Sequence, residues 1–260
     1  MMTVWRFLSL EIRDGFSNMA LDEAILKAVF EKKSPNTLRF YKWNPSTASI
    51  GRNQSLSNEI DMNFASKNGF NVVRRITGGG AVFHDKDREI TYSIVCPIKF
   101  LEHLGAKKVI DQFEIITQGI IAGLRIYGLT PEKGIIHCPA LFLDGRKFSG
   151  NAQVRRTGYL LQHGTILLDI DPELMYSVLT PPPSVSKSRM VQSVRAKCIG
   201  IKEQLKDYDQ EKFIEALKQG FEKILNIELE EGCFSDYELE LAEKLVIRKY
   251  SNINWLKKYE

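Results

Sequence analysis

The 260-residue sequence lacks most features that would fix a protein's class at once. No run approaches the roughly 18 apolar residues of a spanning helix, so no membrane association is expected. The four cysteines, Cys96, Cys138, Cys198 and Cys233, form no CxxC pair, which argues against a zinc site or disulfide framework. The four histidines have no ligand-like spacing, so no metal held by protein alone is expected. Residues Met1 to Glu11 alternate apolar with polar and carry Arg6; they read as a strand rather than a signal peptide, and the expected compartment is the cytoplasm. The net charge of +4 is too small and dispersed for a nucleic-acid binder, though it suits an acidic partner or a nucleotide. Repeats and Gly/Ser linkers are absent.

What is present is an ordinary globular composition, 43% apolar and 26% charged, enough for a full core. Strands are expected at Val4–Leu10, Thr37–Trp43, Thr47–Gly51 and Phe70–Arg75. Ala81–His84 and Glu89–Pro97 read as a strand pair, and Tyr159–Leu168 as a further strand. Asp144-Gly145 between Leu141–Leu143 and Lys147–Ser149 is a strong hairpin signal. Helical spacing falls at Ser17–Phe30, Asp61–Asn68, Lys107–Tyr127, Gln210–Leu225 and Asp236–Lys249. Thr180–Gly200, opening with three prolines and rich in serine and basic residues, reads as a long functional loop. The expectation is a single α+β domain over 1–260, with a mixed, mostly antiparallel sheet flanked by helices.

Three runs could carry chemistry. Arg74-Arg75-Ile76-Thr77-Gly78-Gly79-Gly80-Ala81-Val82-Phe83-His84-Asp85 places a glycine triplet after an apolar strand. Without Cβ atoms, backbone N–H groups can lie against a carboxylate, phosphate or acyl chain. A plain glycine-rich turn with solvated arginines fits the same residues, and no GK[ST] follows to make a Walker loop. In Lys147-Phe148-Ser149-Gly150-Asn151-Ala152-Gln153, a strand lysine precedes small residues, suited to neutralising an anion; a snorkelling lysine fits as well. His163 in Gln162-His163-Gly164-Thr165 reads first as a hydrogen-bonded core residue. Gly51-Arg52-Asn53-Gln54 reads first as a turn.

Taken together and in order, these runs resemble the lipoate–protein ligase and octanoyltransferase family, of the biotin/lipoate ligase catalytic-domain superfamily. Ser17–Ala24 resembles its opening helix, and Ser193-Val194-Arg195 its late basic stretch. The resemblance implies a biotin/lipoate ligase-like fold with an acyl-binding tunnel. By matching position it implies Lys147 as catalytic. It implies acyl or adenylate contacts at Arg52, Arg74, Arg75, Thr77, Gly78, Gly79, Gly80, Val82, His84, Ser149, Gly150, Ala152, His163, Gly164, Thr165 and Arg195.

The main expectation is a lipoate–protein ligase, with ATP and Mg²⁺ activating lipoate to lipoyl-AMP before transfer to a lysine. Implied acceptors are the lipoyl domains of 2-oxoacid dehydrogenase E2 or the glycine cleavage H protein. Three departures temper it. The family's Asn-Asp pair is replaced by approximately Pro139-Ala140, and His137-Cys138-Pro139 together with Glu89–Ser93 resembles the cysteine-dependent octanoyltransferases. The third is the intact Gly78–Gly80, which points back to the ligases. The alternative is therefore transfer of octanoyl from acyl carrier protein through a Cys138 thioester, with no cofactor. A biotin ligase fits less well. A non-catalytic acyl- or lipoyl-domain-binding module is a further alternative. The family's small accessory domain is not recognised after Tyr250–Glu260, and a separate small protein is expected to supply it if the chemistry needs it.

Overall fold

The protein is described by a computed structural model over residues 3–134 and 140–260. Its strands are β1 (Thr3–Arg13), β2 (Thr37–Trp43), β3 (Thr47–Ile50), β4 (Asn71–Arg74), β5 (Val82–His84) and β6 (Glu89–Pro97), then β7 (Glu132–Lys133), β8 (Leu141–Leu143), β9 (Arg146–Arg156), β10 (Tyr159–Leu167) and β11 (Ile227–Glu231). A large sheet runs β11-β1-β2-β6-β10-β9-β8-β7, and a small one runs β4-β3-β5. In the large sheet β1 lies parallel to both β11 and β2, and the remaining pairs are antiparallel.

The alternation in the central strands explains the layering. Leu38 and Phe40 of β2 join Ile90, Tyr92 and Ile94 of β6 in one core layer, while Tyr41 and Trp43 face another. With apolar residues on both faces, these strands have to be covered on both sides.

Helices supply that cover. They are α1 (Gly15–Phe30), α2 (Leu56–Glu59), α3 (Met62–Lys67), α4 (Ile98–His103) and α5 (Val109–Ile126) in the first half. The second half adds α6 (Pro172–Val178), α7 (Lys187–Lys197), α8 (Gln210–Leu225), α9 (Asp236–Leu245) and α10 (Ile253–Leu256). Phe213, Leu217 and Phe221 of α8 and Ile116, Ile120 and Leu124 of α5 fill the first layer. Helix α1 covers the other face, with Met19, Leu21, Ala24 and Ile25 in the second layer. Its start is fixed by Asp14, whose carboxylate accepts from the Phe16 and Ser17 amides at 2.9 and 3.0 Å. No described helix is long and apolar enough to cross a membrane.

Two expectations are corrected. Residues Ala81–His84 do not pair with Glu89–Pro97: β5 joins β3, with Ser49 opposite Val82, and β6 sits between β2 and β10. The cause is the turn between them. The Asp85 carboxylate takes the Asp87 amide at 2.9 Å and Arg88 at 2.7 Å, and the chain passes from one sheet to the other. The stretch Thr180–Gly200 is not a continuous loop. Ser186 caps α7 by accepting from the Arg189 amide at 3.3 Å, and the eleven residues that follow contain no proline or glycine. Basic and serine-rich composition concealed a surface helix anchored by the buried Val191.

The small sheet and α6 stand beside the α1 face of the large sheet. Its placement rests on Arg74, buried and hydrogen-bonded to backbone carbonyls, with Glu260 near enough to act on its charge. The guanidinium donates to the Leu256 carbonyl at 2.5 Å, the Trp255 carbonyl at 3.0 Å and the Gln54 carbonyl at 2.5 Å. Further donations reach the Gly51 and Arg52 carbonyls. One side chain thus ties the turn after β3 to α10.

Candidate active site

Between the two sheets lies a cavity of about 350 Å³, within the roughly 300–1,000 Å³ range of small-molecule sites. Its floor is the large sheet: Gly150 and Ala152 from β9, with His163, Thr165 and Leu167 alternating along β10. Tyr41 and Trp43 of β2 and Met19 of α1 add an apolar end. One wall is the glycine loop and β5, through Gly79, Gly80, Val82 and His84. The facing wall is α6 and the end of α7, through Met175, Tyr176, Leu179 and Cys198.

Lys147 reaches this space by an indirect route. Its ammonium curls back over Gly150, where an added Cβ would stand 3.2 Å from Nζ. Glycine there leaves the place that the lysine head fills. The Lys147 carbonyl accepts from the Ile199 amide at 3.0 Å, and Lys147 pairs in parallel with Cys198. No carboxylate among the described residues lies within ion-pair distance of its ammonium. A half-buried cation at a largely apolar cavity is an electrostatic anchor for developing negative charge.

The glycine loop is fixed by Arg75 rather than free to cradle a ligand with it. All five guanidinium N–H groups are engaged: by Thr77 Oγ1 and by the carbonyl and hydroxyl of Ser49, each at 3.1 Å, and by the Gly78 and Gly80 carbonyls at 2.8 and 2.7 Å. Burial, with no carboxylate to offset it, pushes the group down to about 10. Gly79 adopts φ +94°, and a Cβ on Gly51 would lie 2.0 Å from its carbonyl oxygen. The loop and the turn after β3 touch backbone to backbone, a contact only glycine permits.

Behind the floor is a buried polar relay. Asp22 Oδ2 accepts from Tyr41 Oη and faces His163 Nδ1, each at 3.0 Å; Asp22 Oδ1 takes Ser93 Oγ at 2.9 Å and Arg39 at 3.1 Å. Burial works to raise the Asp22 carboxyl, but His163 and Arg39 outweigh it and hold the group below its ordinary range. Burial pulls His163 below its ordinary 6.5, against the opposing attraction of Asp22. Both shifts describe one state, a carboxylate beside a neutral imidazole. Nδ1–H then donates to Asp22, and Nε2 accepts from Thr77 Oγ1 at 2.7 Å. A second set surrounds His84, which stacks on Trp43 with centroids 4.0 Å apart and contacts Glu89 at 2.7 Å and Ser49 Oγ at 2.8 Å.

Of the residues singled out in sequence, the cavity gathers Arg75, Gly79, Gly80, Val82, His84, Lys147, Ser149, Gly150, Ala152, His163, Gly164 and Thr165. Five do not line it. Arg74 is spent on backbone carbonyls, and Thr77 sits behind His163. Gly78 shows the loop only its carbonyl, bound to Arg75. Arg52 is exposed on its turn, and Arg195 pairs with Glu173 on the outer side of α7. Cys138 lies outside the described residues. Sequence reasoning missed Asp22, Trp43, Met175, Tyr176 and Cys198. Asn18 and Asp22, four apart on α1, were an available signal for a buried polar seam.

Residues 14–222 match the family described as the lipoyl protein ligase A/B catalytic domain. The chain belongs to this family. Its expected standing as an enzyme that forms an amide on a protein lysine holds with that membership. Among curated relatives, octanoyltransferase LipM of Geobacillus kaustophilus is 38% identical, over 97% of this chain and 97% of that one. LipM of Bacillus subtilis is 35% identical, over 96% and 97%. Among solved structures, a bipartite lipoate protein ligase of Thermoplasma acidophilum, studied with its E2 lipoyl domain, superposes with TM-score 0.86 at 27% identity, covering 99% and 98%. A lipoate-protein ligase A bound with ATP gives 0.83 at 25% identity, covering 99% and 100%. The fold is thus that of lipoate ligase catalytic domains, and within the ligase A/B family the cavity beside Lys147 is the candidate site of acyl chemistry.

Proposed function

We propose that this chain is an octanoyltransferase, moving an octanoyl group from a carrier-protein thioester to a lysine of a lipoyl domain. The observation that carries this reading is the 35–38% identity, over nearly the whole of both chains, to proteins named octanoyltransferase, against 25–27% to the solved ligases. The expectation of a ligase thus yields to its alternative. The acceptors in view are the lipoyl domains of E2 or of the glycine cleavage H protein.

The chemistry proceeds in two exchanges. The Cys138 thiolate attacks the octanoyl carbonyl, and the carrier's thiolate leaves and takes up a proton. The acceptor amine then attacks the new thioester, forming the amide, losing a proton and releasing the Cys138 thiolate. The Lys147 ammonium favours thiolate over thiol and stabilises the oxyanion in both steps. The apolar end formed by Met19, Tyr41 and Trp43 takes the hydrocarbon tail.

Likeness to an ATP-bound ligase supports a second reading, in which lipoate and ATP·Mg²⁺ replace the carrier thioester. Lys147 would then meet carboxyl and phosphate oxygens.

Mass spectrometry of an apo lipoyl domain separates the two. Modification from octanoyl-carrier protein, with an octanoyl thioester trapped on Cys138 and lost in Cys138→Ser, is the expected result. Modification only with lipoate and ATP·Mg²⁺, undiminished in Cys138→Ser, would overturn it. Cys198→Ser serves as the control thiol, since Cys198 lines the cavity while burial, opposed by Lys147 and Lys197, keeps its thiol raised.

A further inference from the structure

Between Glu173 and Glu203 the sequence has no acidic residue, while Lys187, Arg189, Arg195, Lys197 and Lys202 supply five positive charges. The whole chain carries a net +4, so this one segment accounts for all of its positive excess. All five side chains are exposed. Arg195 pairs with Glu173, Lys187 donates to Ser177 Oγ at 3.0 Å, and Lys202 lies 4.5 Å from the Tyr208 ring centroid. Among the described residues, no carboxylate pairs with Lys187, Arg189, Lys197 or Lys202.

This cationic strip is built into the rim of the cavity. Cys198, directly after α7, both lines the cavity and pairs with Lys147. Helix α6, packed on α7, contributes Met175 and Tyr176 to the wall. The rim is also fixed in place: the Asp61 amide donates to the Val178 carbonyl and the Thr180 amide to the Glu59 carbonyl, each at 2.8 Å. A protein presenting an acyl group in the cavity beside Lys147 comes close to this strip.

An exposed row of unpaired cations favours a partner with an acidic surface. A donor that hangs its acyl group on a phosphate-linked arm, from an acidic surface, is drawn in. We infer that α7 with Lys202 is the docking face for an acidic acyl-carrier protein bearing octanoyl on a phosphopantetheine arm. This rests on the transferase reading and adds to it where the donor lands.

The test is binding of octanoyl-carrier protein to the intact chain, by fluorescence anisotropy across a salt series, in wild type and in Lys187→Glu/Arg189→Glu/Lys197→Glu. The expected result is a loss of about tenfold or more in affinity with a shallower salt dependence. Lipoyl-domain binding should be unchanged, as should transfer from octanoyl-pantetheine, which has neither phosphate nor protein. A milder triple variant to Gln, expected to fall between the two, guards against a reversal variant that does not fold. Equal carrier affinity in all three proteins, no carrier binding by wild type, or equal weakening toward the lipoyl domain would each overturn the inference. Failure of the transferase reading looks different: carrier binding that responds to the charge changes, with no transfer from octanoyl-pantetheine by wild type.

Discussion

The Asp22 carboxylate and the His163 imidazole, 3.0 Å apart and both buried, form one ionisation unit across helix α1 and strand β10. Through Thr77 and Arg75 the unit extends to the carbonyls of Gly78 and Gly80. A carboxylate that never reaches the cavity therefore governs which face of His163 does.

Asp22→Asn should test that dependence. It leaves Arg39 without its ionic partner in a buried setting, and losing one member of such a pair costs about 3 kcal/mol or more. Urea unfolding should show that loss, and Asp22→Glu should recover part of it. Unchanged stability in Asp22→Asn would mean that Arg39 finds other acceptors.

The pH response follows from His163. Its folded value is depressed, so on acidification the unfolded chain takes up a proton that the folded chain refuses. The stability contribution is complete above the ordinary 6.5 and declines as pH falls from there through the folded value. Melting temperatures between pH 7.5 and 5 should fall more steeply in wild type than in His163→Gln. Nitrogen NMR should find the ring protonated at Nδ1 alone near neutral pH.

Lys147 and Gly150 make a paired prediction. Lys147→Ala should lower the transfer kcat by about 10²–10³, as removal of an oxyanion-stabilising group does. Gly150→Ala keeps the lysine but places a Cβ at 3.2 Å from its ammonium, which has to move. Because the displaced atom ends a flexible chain, stability should stay within about 1 kcal/mol of wild type while kcat falls. Equal kcat in both proteins would show that the ammonium's position is immaterial.

Gly51→Ala should act on binding. Its Cβ would meet the Gly79 carbonyl oxygen at 2.0 Å, with rigid backbone on both sides. A cost of about 1–3 kcal/mol is expected from overpacking, with a higher KM for the acyl donor as the glycine loop shifts. Thermal melts and steady-state rates check the two effects separately.

How much of this was legible beforehand depended on the range of the interactions involved. The alternation in Thr37–Trp43 and Glu89–Pro97 reflects local chemistry, and those strands appear where the pattern puts them. The cavity's glycines and Lys147 were visible because residues that forgo a side chain, or place a charge on an apolar strand, stand out in a linear reading. Arg74 and Arg75 are adjacent and chemically alike, yet one clamps a distant helix and the other holds its own loop. Only the strand alternation, projected onto a known sheet, separates them. Asp22 depends on Arg39, Ser93 and His163, which arrive from three different strands, so its spacing from Asn18 could not name its partners. Helix α7 was hidden for the opposite reason: it is polar almost all round, and hydrophobic periodicity is silent on such a helix.

The span of the Arg74 clamp imposes an order on synthesis. Its acceptors at Trp255 and Leu256 follow it by 181 and 182 residues. While a ribosome is still making the second half of the chain, those acceptors do not exist, and the turn after β3 has only part of its final support. The turn after β3, which touches the glycine loop through Gly51 and Gly79, is therefore among the last parts of the molecule to gain its full support, and a nascent chain halted before α10 would lack that brace.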